Sequence, residues 1–308
     1  MSKTILVTGG TGFIGSAITK YLVEKKYHVI VFDNNFRGKI ARLKKIKKKI
    51  MFIKGDVVNK QQLFHAAKNA DILIHLAYIN GTRFFYTKPY EVLEIATKGM
   101  LNVIDACKKY SIKELYLASS SEVYQTPKKI PTNEKEMLKI PNIYNPRYSY
   151  GGGKIISELL GIHFAKKNLN KFIIFRPHNV YSGDMGHEHV IPEFIRKIKN
   201  IKKSKNFLIQ GTGNEKRSFI FIDDFISAFD KIFTKGKNLE IYNIGTTEIV
   251  KIKELAKKIA KIFNIKIKLK KGKQLEGGTR IRCPDISKIK KLGFKPRFNL
   301  GQGLRKII

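Results

Sequence analysis

Tyr150 and Lys154 stand four residues apart in "YSYGGGKIISELL" (148–160), and a helix there puts both on one face. A tyrosine hydroxyl ordinarily holds its proton to about pH 10, too high for a base at neutral pH. Positive charge beside it favours the phenolate and brings that value down, and Lys154 is placed to supply it. Such a phenolate accepts a proton from a substrate alcohol. Serines in "ASSSEVY" (118–124) offer a further hydroxyl to the same oxygen. Three glycines, Gly151–Gly153, separate the tyrosine from the lysine. Each costs a helix interior about 1 kcal/mol relative to alanine. We read them as a helix start left open for backbone or ligand, with the helix covering 152–168.

The elements that must position these residues are legible as alternating patterns. Short apolar runs at 4–9, 28–33, 50–56, 70–77, 114–120 and 171–177 read as strands, with amphipathic helices near 13–26, 60–69, 89–110 and 152–168. Near-continuous apolar strands alternating with helices predict an α/β fold, a doubly wound parallel (Rossmann) sheet covered on both faces. Residues 1–177 read as the nucleotide-binding domain, to which 217–246 returns. Residues 178–216 and 247–308 read as a smaller C-terminal lobe over the carboxyl ends of the strands, the crevice where such sheets bind ligands.

The first turn names a ligand. "VTGGTGFIG" places Gly9, Gly12 and Gly15 between a strand and a helix, where glycine lets the backbone approach a pyrophosphate at the helix N-terminus. Strand two ends at Asp33, where a carboxylate accepts hydrogen bonds from a ribose 2′-hydroxyl and repels a 2′-phosphate. That favours NAD over NADP, although Arg37 is close by. Asp56, after strand three, is placed to meet the adenine.

Composition bounds the rest. The 308 residues carry 61 Lys+Arg against 24 Asp+Glu, a formal charge of +37. Lysine mixed with isoleucine and asparagine along the whole chain reads as compositional drift, so no nucleic-acid partner is expected, and the basic surface attracts a phosphorylated small molecule. No apolar run is long enough for a membrane span. The first residues show no signal-peptide pattern, and Cys107 and Cys283 make no disulfide scaffold, so a cytoplasmic setting is expected. His187, Glu188 and His189 cluster without a zinc-site spacing, and no metal is expected.

Taken in order, Gly-x-x-Gly-x-x-Gly, "DNNFRG", "GDV", "HLAY", "SSSEVY", Tyr-x-x-x-Lys, "RPHNVY" and "RSFIFIDD" resemble the extended short-chain dehydrogenase/reductase family, and more narrowly its NAD-dependent nucleotide-sugar epimerases and dehydratases. The resemblance implies oxidation of a sugar hydroxyl, usually at carbon 4, to a ketone, with epimerisation or 4,6-dehydration following. Uronate decarboxylation is an alternative, with a reductase or a non-catalytic basic binding protein further off. Ser120, Tyr150 and Lys154 become the catalytic set, and Glu122 handles a proton as in the dehydratases. NAD contacts are implied for Gly9, Gly12, Phe13, Ile14, Gly15, Asp33, Asn34, Asp56, Val57, Leu76, Ala77, Tyr78, Ser119, Tyr150, Lys154 and Pro177. A nucleotide-diphosphate sugar is implied at Ser120, Glu122, Asn179, Arg217 and Arg282, and a homodimer through the helices at 89–110 and 152–168. Six positions depart from the family's pattern: Ala96 for asparagine, Ser121 for the aspartate of many dehydratases, Gln125 for glycine, Gly153 for serine, and Ser182 and Gly183 for Gly-Pro.

Overall fold

The structure, a computed structural model, describes residues 2–186, 188–201, 206–272 and 277–308. Seven parallel strands form the central sheet: β1 (Thr4–Thr8), β2 (His28–Asp33), β3 (Ile50–Lys54), β4 (Ile72–His75), β5 (Glu114–Ala118), β6 (Lys171–Pro177) and β7 (Glu240–Ile244). Their order is β7-β6-β5-β4-β1-β2-β3. The chain starts in the middle and winds outward twice, so a crevice opens between β1 and β4 at their carboxyl ends.

Alternation along the strands explains their unbroken apolar character. Ile5, Val7, Val29, Val31, Ile72 and Ile74 face one side, where α1 (Phe13–Glu24) and a later helix, Ile222–Lys235, cover them. Leu6, Ile30, Phe32, Leu73, Leu115 and Leu117 face the other, under α2 (Lys60–Ala67), α3 (Met100–Lys109) and α4 (Tyr148–Asn168). Both faces are buried, so neither strand face is polar. A third apolar cluster, built around Phe194, Phe207, Leu255 and Ile259, lies in the C-terminal part. There Lys216–Ser218 pairs with Ile249–Lys251 and Ile281–Arg282, and Ile220–Phe221 pairs with Val180–Tyr181.

Two local features depart from the pattern read in the sequence. The basic run at 40–49 is a 3₁₀ helix, because Ile40, Leu43 and Ile46 recur every three residues and turn inward while the lysines stay outside. More important for the site, α4 begins at Tyr148, not at 152. The three glycines therefore lie inside the helix. Among the described residues, no helix is long and apolar enough to cross a membrane.

Candidate active site

The β1–α1 turn is closed by glycine for steric reasons. Gly9 has φ +71°, and a Cβ there would lie 2.6 Å from the Ala77 nitrogen. A Cβ on Gly15 would overlap the Gly9 carbonyl, so helix and strand pack at backbone distance. At Gly12 only the Gly9 carbonyl, 3.1 Å away, would meet a Cβ, and the residue lines a cavity of about 1080 Å³. Asp33 closes β2 and is buried, its carboxylate accepting from the Thr11 and Asn35 amides at 3.0 and 2.8 Å. Asn34 donates to Asp56 at 2.8 Å, tying the ends of β2 and β3 together. Backbone cradle, helix N-terminus and acid fit a dinucleotide.

Arg37 is engaged elsewhere. It forms two hydrogen bonds with Glu188, at 2.8 and 2.9 Å, and its guanidinium lies 4.8 Å from the Phe84 ring centre. The pairing pulls Glu188 down to about 2. Arg42 similarly grips Asp184 at 2.8 Å, so ion pairs tie Asp184 and Glu188 to the 3₁₀ helix at 40–49 and the loop before it. His187, from the cluster noted in the sequence, lies outside the described residues.

All the sequence-predicted residues line this one cavity. Tyr150 is buried, its ring stacked on Phe85 and edge-on to Tyr78. Burial pushes its phenol up, and Glu122 adds to that. A hydrogen bond with Ser120 and the charge of Arg282 pull the other way without winning. The expected help from Lys154 is not seen. Its ammonium donates to the Ala118 carbonyl at 2.7 Å and lies 3.8 Å from the Tyr78 ring centre, against 6.0 Å for Tyr150. Burial pulls Lys154 itself down to about 7, opposed by Glu158 one turn further along α4.

Glu122 is clamped, not free. Arg282 donates to it at 2.8 Å and Arg147 lies 3.6 Å away. Burial would raise its carboxyl, but Arg282, Arg147 and Arg217 together hold it below the usual range. It is a carboxylate at neutral pH, able to accept a proton and not to donate one. Arg282 thus meets an acid of the chain's own. Among the described residues Arg217 forms no such ion pair: burial pulls it down to about 9, Arg282 and Arg147 repel it, and Glu122 and Glu215 oppose the fall. It donates to the Lys216 carbonyl at 2.8 Å and lines the cavity. The Asn179 amide is held by the Ser218 carbonyl at 2.8 Å. Ser119 donates to Glu158, which also receives two hydrogen bonds from Arg176 at 2.9 and 2.5 Å.

None of the three glycines lines the cavity. A Cβ on Gly151 would lie 2.5 Å from the Gln125 amide nitrogen, and one on Gly152 3.1 Å from Ile140. On Gly153 it would overlap the Tyr78 hydroxyl and lie 2.6 Å from the Ala96 Cβ. The room they leave is filled by the chain's own side chains, not by ligand.

Sequence reasoning missed Arg147, Glu158, Arg176 and the side chain of Tyr78. Glu158 had a signal: it continues the four-residue stripe of Tyr150 and Lys154. Arg147 had only its place just before the helix.

Comparison with known proteins agrees with this geometry. Over 273 residues the chain is 33% identical to a dTDP-D-glucose 4,6-dehydratase of Dictyostelium discoideum, covering 84% of this chain and 62% of that longer protein. It is 30% identical to a UDP-N-acetyl-alpha-D-glucosaminuronate decarboxylase of Bacillus cytotoxicus, covering 100% of this chain and 97% of the relative. The UDP-glucose 4-epimerase of Thermotoga maritima, solved with UDP-glucose, superposes with a TM-score of 0.88 at 26% identity, covering 99% and 96% of the two chains. The description of one family, NAD dependent epimerase/dehydratase, matches residues 5–245. With that match and the cavity that gathers its glycine turn, Asp33, Ser120, Tyr150 and Lys154, the chain belongs to the NAD dependent epimerase/dehydratase family.

Proposed function

We propose that this protein is an NAD-dependent nucleotide-sugar epimerase or dehydratase whose first step oxidises the sugar at carbon 4. The observation that carries the reading is the meeting of Ser120, Tyr150 and Lys154 on the wall of the cavity that the glycine turn and Asp33 also line. When bound, NAD supplies the acceptor, and later the donor, of the hydride. Ser120 hydrogen-bonds the reacting oxygen and Tyr150 takes its proton. Burial keeps Tyr150 protonated in the protein alone, so positive charge at its side must form the phenolate. Glu122, held ionised, is placed as a base for the later proton.

Arg217 and Arg282 are assigned to the substrate diphosphate, which guanidinium forks match. Residues 1–177 with 217–246 form the cofactor lobe, and 178–216 with 247–308 the sugar-nucleotide lobe. Exposed Tyr90, Leu93, Leu101 and Leu159 on the helices at 89–109 and 148–168 support a homodimer through that face. A cytoplasmic setting suits two buried free cysteines.

Uronate decarboxylation is the second reading. Three guanidinium groups, from Arg147, Arg217 and Arg282, face the carboxylate of Glu122, with Glu215 the further acid near Arg217, and the surplus of positive charge suits a substrate carboxylate. Incubation with a panel of nucleotide sugars followed by mass spectrometry separates the readings. Loss of water means dehydration, a new isomer of equal mass epimerisation, and loss of carbon dioxide decarboxylation. Tyr150→Phe should abolish turnover while NAD still binds; full activity in that variant would remove the assignment.

A further inference from the structure

We infer that Tyr78 is a positioning residue of the reaction, its ring inserted beside Lys154 and Tyr150 to hold the lysine ammonium in place by a cation–π contact. The inference rests on the reading of Tyr150 and Lys154 as the catalytic pair.

Three separate observations carry it. First, the Lys154 ammonium lies 3.8 Å from the Tyr78 ring centre, close for such a contact, and the lysine is buried while the ring is partly buried, so water screens the contact little. The same ring meets Tyr150 edge-on, with centres 5.1 Å apart and planes at 85°. One side chain therefore touches both members of the pair.

Second, the chain is built to admit this ring. Its hydroxyl lies where a side chain at 153 would begin, and a Cβ there would also press on Ala96. Glycine at 153 and a small residue at 96, two of the departures from the family's pattern, together make the slot. Third, the Tyr78 hydroxyl is buried without a hydrogen-bond partner among the described residues. A buried donor left unpaired is a cost, so the position is occupied for the ring and not for the hydroxyl.

The groups that face Lys154 come from four elements. On its own helix are Tyr150 and Glu158, the latter backed by Arg176 from β6. β5 offers the Ala118 carbonyl, and the segment after β4 offers Tyr78. β4 contributes His75, which burial and the Lys154 charge pull down to about 3, so it is neutral throughout an ordinary assay range. Glu158, the Ala118 carbonyl and the Tyr78 ring favour the charged lysine against burial. Removing the ring should therefore lower its titration midpoint.

The test compares Tyr78→Phe and Tyr78→Leu with wild type. Lys154 is followed by carbon NMR of lysine-labelled protein, its signal assigned by its loss in Lys154→Arg. In Tyr78→Leu the midpoint should fall by about one pH unit, the scale of a buried cation–π contact. In Tyr78→Phe, which keeps a ring, it should stay at the wild-type value. With whichever nucleotide sugar the enzyme turns over, the basic limb of the kcat profile should move down by the same amount in Tyr78→Leu, with KM little changed, and Tyr78→Phe should restore it. If Tyr78→Leu does not fold, Tyr78→Met fills the slot without a ring and should give the same shift.

Wild-type titration in Tyr78→Leu would overturn the inference. So would an equal shift in Tyr78→Phe, which would give the role to the hydroxyl. The NMR titration needs no turnover, so it separates the two claims. A wild type inert toward every sugar would sink the catalytic reading, and with it the role of Tyr78 in the reaction, even if the ring still governed the lysine.

Discussion

The glycine trio makes a prediction with opposite signs at adjacent positions. In the interior of α4 each glycine-to-alanine change should gain about 1 kcal/mol from helix propensity and from restricting the unfolded chain. Against that stands whatever the new methyl meets. At 152 it meets the end of the Ile140 side chain at 3.1 Å, and Ile140 is half exposed and free to yield. At 151 it meets the Gln125 amide at 2.5 Å and the Glu122 backbone carbonyl at 2.9 Å, and the backbone cannot swing aside. At 153 it runs into Tyr78 and the Ala96 methyl on the neighbouring helical segment. Overpacking of that kind costs about 1–3 kcal/mol. Gly152→Ala should thus raise stability by roughly 1 kcal/mol, a rise in Tm of about 2 °C for a chain of this size. Gly151→Ala and Gly153→Ala should lose up to about 2 kcal/mol. Urea unfolding at fixed pH, with the slope checked for constancy, reads all three. A Gly152→Ala protein less stable than wild type, or three variants shifted alike, would refute the reasoning.

Three further outcomes follow from the site. Glu188→Gln should free Arg37 for a 2′-phosphate and tighten NADP binding roughly tenfold with little change for NAD, measured by calorimetry; unchanged NADP affinity would mean that Asp33 alone decides. Lys154 has its folded-state value pulled down to about 7, so the unfolded chain binds more protons between there and about 10.5, and the stability withheld by burying its charge is recovered as pH rises through that window. Lys154→Met should accordingly be more stable than wild type at pH 6 and lose that advantage by pH 10, in denaturant titrations at each pH. If Arg217 binds the diphosphate as proposed, Arg217→Met should raise KM for the nucleotide sugar by at least about tenfold with kcat little changed; a fall in kcat alone would move it to the reaction.

What the sequence disclosed, and what it hid, divides along one physical line. The strands and the cofactor turn were legible because their causes are local: two-sided apolar strands, a glycine where a Cβ would strike Ala77, an acid closing β2. The same holds for Tyr150 and Lys154, whose spacing is set by one helix. The electrostatics were not legible, because they depend on where long side chains turn. Lys154 went to the Ala118 carbonyl and the Tyr78 ring, and Arg282 went to Glu122, partners 36, 76 and 160 positions away. The departures from the family's pattern show the same limit most clearly. Taken singly, Gln125, Ala96 and Gly153 read only as separate departures from the family's pattern. In space they are matched sets: Gly151 leaves room for the Gln125 amide, which caps the Glu122 carbonyl at 2.6 Å, and Gly153 with Ala96 leaves room for Tyr78. A substitution that removes a side chain at one position is the mark of a larger side chain arriving from another, so the three glycines record the shape of neighbours that only the fold brings near.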